Sequence, residues 1–179
     1  MAVVHHHAPA MMPFCVTATP LVPVFHLGAT GGASVPFWDQ YEEFGDTNLL
    51  VVKPEEGASL ARALGKNNLV LMNRHGATAV AGDVQGLVFR AIYSCRNAEY
   101  QFMAKMLGNV MPLRPGEVTK SAEIYAMPTA NFRAWEYWLA RLEKAGGGVT
   151  HGGKKPVRTR VKHDSVARGK TRKARGRKR

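Results

Sequence analysis

The segment 68–108 constrains the fold more than any other stretch of the chain. It opens with Asn68-Leu69-Val70-Leu71-Met72, a continuous apolar run. Such a run reads as a strand covered on both faces of a sheet. Arg74-His75-Gly76 turns the chain, and Ala77-Thr78-Ala79-Val80-Ala81 supplies a second strand. Asp83 stands where a helix N-cap belongs. Val84, Leu87, Val88, Ala91, Ile92, Cys95, Ala98, Phe102, Met103 and Met106 then recur at helical spacing as far as Gly108.

The flanking chain is less regular. Ala2-Val3-Val4 is a short β-type run leading into His5-His6-His7, and Ala10-Met11-Met12 reads as a turn of helix closed off by Pro13. Two prolines exclude helix from Thr19 to Phe25, so that stretch is expected to be an extended connector or edge strand. Glycines punctuate His26–Gly57, where Asn48-Leu49-Leu50-Val51-Val52 is the one expected strand. Glu55–Leu64 reads as a helix with acids in its first turn and Gly65 at its end. Asn131–Lys144 is a further amphipathic candidate, rich in aromatics.

Charge divides the chain in two. Of the 179 residues, 25 are Lys or Arg and 13 are Asp or Glu, a net charge of +12. Residues 1–145 hold 12 basic and 12 acidic groups, whereas 146–179 hold 13 basic groups and the single acid Asp164. The division implies a neutral domain over 1–145 and a basic tail over 146–179, poor in large apolar residues and expected to be disordered. The sequence pI near 10.1 therefore describes the tail, and does not mark the body as a nucleic-acid-binding domain. No apolar run approaches the roughly 20 residues that span a bilayer, and the opening residues do not read as a signal peptide. Cys15 and Cys95 lie far apart in apolar surroundings, as expected of free thiols in a reducing, cytoplasmic compartment.

His5 and His7 are the first candidates for chemistry. Alternate strand residues project from one face, so these two imidazoles point together while His6 points away. His75 follows a buried strand and precedes Gly76, which tolerates a close approach that a larger residue blocks. With His5 and His7 it would complete three nitrogen ligands and leave positions open for water or substrate, against the reading of the pair as a tag fragment or polar surface strand and of His75 as a hydrogen-bonded structural residue. The Gly28–Gly32 run lacks the strand, helix and lysine of a phosphate loop and reads as a turn. Cys95 sits on the apolar helical stripe and reads as packing.

The blocks VVHHHAPAMMPF, PVFHLG, GDTNLLVV and ALARALGKNNLVLMNRHGATAVAGDVQGLVFRAIY resemble consecutive blocks of the class II aldolase/adducin family. Within it they look closest to bacterial decarboxylases of aromatic degradation, of the 2-hydroxy-3-carboxymuconic semialdehyde or dihydroxyphthalate decarboxylase type. The resemblance runs over residues 1–142. It implies an α/β fold, a three-layer α/β/α sandwich. His5, His7 and His75 fall where the family's metal-binding histidines stand, and His6 where a non-ligand stands. The implied activity is carbon–carbon bond cleavage by a metal-dependent lyase, decarboxylation of an aromatic-catabolism intermediate first and aldol cleavage second. The implied cofactor is a divalent metal, zinc by ligand type, with manganese, iron and magnesium as alternatives. The implied partners are a small-molecule carboxylate and further copies of the chain, in a tetramer.

Family members carry an N-terminal portion before the H-x-H strand, with an anion-binding loop and a catalytic Glu at the metal. This chain starts inside the H-x-H block, so it is expected to be truncated, to lack that Glu and to leave a sheet edge exposed. Arg74, beside the third ligand, is a candidate for pairing with a substrate carboxylate, against its reading as a strand-end surface charge. His26 is a candidate proton donor, against a hydrogen-bonded loop histidine. Tyr125 and Tyr137 read as core or interface residues. The rival readings of the whole chain are a catalytically dead relic and a non-specific nucleic-acid binder acting through the tail.

Overall fold

A computed structural model describes residues 1–147. The expected disordered tail over 146–179 lies, beyond Gly147, outside the described residues. A four-stranded sheet has the order β1-β4-β3-β2, built from β1 (Ala2–His6), β2 (Phe37–Trp38), β3 (Leu69–Met72) and β4 (Gly76–Ala81). β4 runs antiparallel to both neighbours, pairing His5 with Thr78 and Leu71 with Ala77, while β2 lies parallel to β3. β1 and β2 are the edge strands.

All four residues of β3 are buried, and their alternation divides the core. Leu69 and Leu71 join Met11, Phe14 and Cys15 of the α1 region (α1, Met12–Thr17) and Leu87 and Ala98 of α4 (Val84–Leu107) on one face. Val70 and Met72 join Trp38 on the other, against Leu60, Ala63 and Leu64 of α3 (Pro54–Leu64) and Phe44 of α2 (Tyr41–Phe44). The result is the expected three-layer α/β/α arrangement. α5 (Pro115–Ala126) and α6 (Pro128–Lys144) pack on α4 and on a 3-10 helix, His26–Gly31.

α4 starts and stops where its sequence signals it. The Asp83 carboxylate accepts from the Gly86 N–H at 2.7 Å, satisfying a free first-turn donor, and Gly108 ends the helix at φ +156°. Its inward face differs from the expected stripe. Phe102, Met103 and Met106 are exposed, while Ser94, Asn97 and Gln101 are buried. The reason lies in the connector at 20–24, which forms neither helix nor strand. Asn97 accepts from Val24 N–H at 2.9 Å and donates to Val22 C=O at 2.7 Å; Gln101 accepts from Val22 N–H at 2.9 Å and donates to Pro20 C=O at 2.8 Å. Helix amides thus stand in for a neighbouring strand. Gly28 completes the fit, because a Cβ there would collide with the Asn97 side chain.

Three local expectations are corrected. Residues 48–52 form a loop: Leu49 turns at φ +65°, and side chains of Thr47, Asn48 and Glu56 take the N–H groups of Leu49, Leu50, Val52 and Lys53. Pro13 opens a helix instead of closing one, since a first-turn proline forfeits no helical hydrogen bond. Gly28–Gly31 is part of the 3-10 helix and not a plain turn. Cys15 is buried and Cys95 half-buried, and both are free.

Candidate metal centre

β1 delivers two imidazoles and the β3–β4 corner a third. His5 and His7 project from the face of the sheet that carries Thr78, while His6 projects toward α4. His75 arrives at a tight corner whose geometry is held by several bonds. Asn73 donates to the Asp39 carboxylate at 2.6 Å, the Arg74 N–H reaches Cys15 C=O at 3.0 Å, and the His75 N–H reaches Met72 C=O at 3.1 Å. Arg74 itself adopts φ +55°, a left-handed conformation that non-glycine residues seldom take.

The three rings form one cluster. Ring centroids are 4.7 Å apart for His5 and His7, 4.7 Å for His5 and His75, and 5.1 Å for His7 and His75. One nitrogen from each can be chosen so that all three lie within 4.8 Å of one another. Among the described residues no carboxylate or thiol joins this group.

The surroundings fit a cation. Thr78 donates its hydroxyl to Met72 Sδ at 3.3 Å and so accepts from Nδ1–H of His5 at 3.2 Å. With Nδ1–H of His5 turned to Thr78, Nε2 of His5 carries the lone pair a metal needs, and that atom lies 3.1 Å from Nε2 of His7. His75 Nδ1 is buried with no hydrogen-bond partner. Burial, followed by the neighbouring His75 and His7 rings, holds His5 below the ordinary imidazole range. His75 is lowered likewise, by burial and then by His7. Low basicity keeps these rings neutral, the form that ligates a metal. Gly76 makes room: a Cβ there would lie 2.6 Å from His6 C=O, 2.9 Å from His7 Cδ2 and 3.2 Å from His5 Cε1.

Of the sequence candidates, the structure brings together His5, His7 and His75. Arg74 is exposed beside them and forms no ion pair among the described residues. His26 is not brought to the cluster; it begins the 3-10 helix on the α4 side, where its ring lies 6.0 Å from that of Tyr125. His6 Nε2 is also buried without a partner, but it faces an apolar groove lined by Val4, Ala91, Ile92 and Cys95. Sequence reasoning missed Thr78 as the group that orients His5. A lone hydroxyl in an otherwise apolar strand was the available signal.

Comparison with known proteins agrees with this architecture. The sequence profile of the class II aldolase and adducin N-terminal domain matches residues 1–102. "Decarboxylase tropJ" of Talaromyces stipitatus is 30% identical over 168 aligned positions, covering 81% of this chain and 62% of the relative. The chain thus spans about three-fifths of the length of that relative. An aldolase II superfamily protein from Pseudomonas syringae superposes with a TM-score of 0.64 at 16% identity, over 81% of this chain and 57% of its own. The L-fuculose 1-phosphate aldolase of Glaciozyma antarctica PI12 gives 0.63 at 18% identity, over 80% and 52%. These two likenesses bear on the fold. With its profile matched over more than half of its length, and a 30% identical relative alongside, the chain belongs to the class II aldolase and adducin family.

Proposed function

We propose that residues 1–145 are the metal-binding part of a carbon–carbon lyase, acting by decarboxylation of a carboxylate from aromatic catabolism, with aldol-type cleavage as the second choice. The observation that carries this reading is the convergence of His5, His7 and His75 on one point. Similarity to a protein named a decarboxylase supports the reaction class.

The chemistry needs a sink for charge. Losing CO₂ from an acid with a β-carbonyl leaves an electron pair that must move onto the carbonyl oxygen. His5, His7 and His75 would hold a divalent cation, zinc by donor type, which would supply Lewis-acid stabilisation of that negative charge. The chain's own residues do the rest. Thr78 fixes the His5 tautomer and Gly76 leaves the three rings room to converge. Arg74, exposed beside His75, is suited to hold a substrate carboxylate as a charge-assisted pair. His5 and His7 are open to solvent, which gives a small molecule access.

Exposed Phe102, Met103, Met106, Leu107 and Met111 near the end of α4 support self-association of the chain. Free Cys15 and Cys95 support a reducing, cytoplasmic setting. Among the described residues no helix is long and apolar enough to cross a membrane. The 13 basic residues of 146–179 favour a second activity, salt-sensitive binding of nucleic acid, which deletion of that segment should abolish.

The test of the lyase reading is CO₂ release from β-keto and ortho-hydroxy aromatic acids by zinc-loaded protein. Activity lost in His75→Ala and in chelator supports it. Turnover that survives both contradicts it.

A further inference from the structure

On the α4 side of the sheet lies a cavity of mixed polar and apolar lining that the lyase chemistry does not use. Its volume is about 310 Å³, and Thr30, Asn68, Phe89, Arg90, Tyr125 and Asn131 contribute to its walls. It sits by Val80, four residues along β4 from the Gly76 corner and so about 13 Å away at strand spacing.

Arg90 is the group that needs explaining. Its Nε donates to Thr30 C=O at 2.9 Å and its Nη1 to Val80 C=O, tying the 3-10 helix to β4. Those bonds occupy two of five guanidinium N–H groups. The ion pairs among the described residues are Arg62–Glu43, Arg96–Glu99 and Arg114–Glu117, so no acid there balances the charge of Arg90. Two carbonyl acceptors call for donors and not for a permanent cation. Burial also works against its charge, lowering its affinity for a proton. An anion in the cavity would answer both points.

The remaining walls narrow the ligand. Phe89 is buried and backs the half-buried Tyr125 ring at 5.6 Å, so Tyr125 supplies the apolar wall for a flat body. The Asn68 side chain and the Tyr125 hydroxyl make no hydrogen bond among the described residues, and Asn131 donates to Tyr125 C=O at 3.1 Å. One guanidinium with neutral polar neighbours matches a single negative charge better than a phosphate dianion. We propose that this cavity binds a small aromatic carboxylate, its carboxylate on Arg90 and its ring against Tyr125. The site is independent of the imidazole cluster and of any reaction there. It gives the protein a place to sense an acid.

The experiment titrates the full chain with benzoate, benzamide and inorganic phosphate by calorimetry, in parallel with tryptophan fluorescence, because Trp138 lies 6.1 Å from Phe89. Benzoate should saturate, and benzamide should bind at least about tenfold more weakly, the cost of losing a charged hydrogen bond. Arg90→Gln should weaken benzoate by a similar factor. Tyr125→Ala, which keeps both Arg90 bonds, should weaken it as well and guards against a folding defect in the first variant. His75→Ala should leave it unchanged, whatever becomes of metal binding. The proposal is overturned if wild type shows no saturable benzoate binding, if benzamide binds equally or phosphate more tightly, if Arg90→Gln and Tyr125→Ala both keep benzoate, or if His75→Ala loses it.

Discussion

The Nε2 atoms of His5 and His7 stand 3.1 Å apart, so in the free protein one ring donates to the other, and a cation between them would take both lone pairs. The pair exists because β1 alternates. His5 and His7 share a face, and His6 is left on the side of α4. His5→Ala should therefore lower zinc affinity by at least about tenfold, whereas His6→Ala should change it little. Competition against a chromogenic chelator measures both; equal losses would contradict the assignment by strand face.

Gly76→Ala should damage the cluster without touching a ligand. The added methyl meets His6 C=O at 2.6 Å and His7 Cδ2 at 2.9 Å, so β1 or the His7 ring must shift. Overpacking of this kind costs about 1–3 kcal/mol. Urea unfolding should report that loss, and metal content should fall with it.

Stability should depend on pH through the histidines. Burial first, then a neighbouring imidazole, depresses His5, His6 and His75. The unfolded chain takes up protons at these rings as pH falls through about 6.5, while the folded chain resists until lower pH. The unfolded state thus binds more protons in that window, so stability is complete above about pH 6.5 and declines as pH drops toward the depressed folded values. The Tm of metal-free protein should follow this course, and a His5→Gln/His75→Gln double variant should reduce the pH dependence to the share of His6. A Tm that rose on acidification would contradict the burial of these rings.

Asn97→Leu should cost about 2 kcal/mol, because it strands Val24 N–H and Val22 C=O beside an apolar side chain. Chemical denaturation should show the loss while zinc affinity stays near wild type. A neutral result would mean that the 20–24 connector does not depend on α4.

The hairpin and α4 were legible because two short apolar runs joined at Gly76 mark β3 and β4, and apolar residues recur at helical spacing after the Asp83 cap. The cluster was legible for the same reason: alternation pairs His5 with His7, and the end of a buried strand aims His75. What the pattern concealed was substitution of one polar partner for another. Asn97 and Gln101 look like a solvent face, yet they carry the backbone of a connector that has no strand beside it. Asn48–Val52 looks like a strand, yet neighbouring side chains take its N–H groups before any ladder can. Exposed Phe102 and Met106 read as core because apolar spacing does not distinguish a core from an uncovered surface. α5 was not anticipated, its apolar residues being few and forming no clear helical stripe.

Metal stoichiometry tests the central claim most directly. Protein purified without a nickel column, stripped with chelator, reloaded with zinc and desalted should carry about one ion per chain by elemental analysis, the loading a three-imidazole site supports. His75→Ala, treated identically and shown to be folded, should carry almost none. Retention of a full complement by that variant, or failure of the wild type to hold zinc at all, would contradict a site built from His5, His7 and His75.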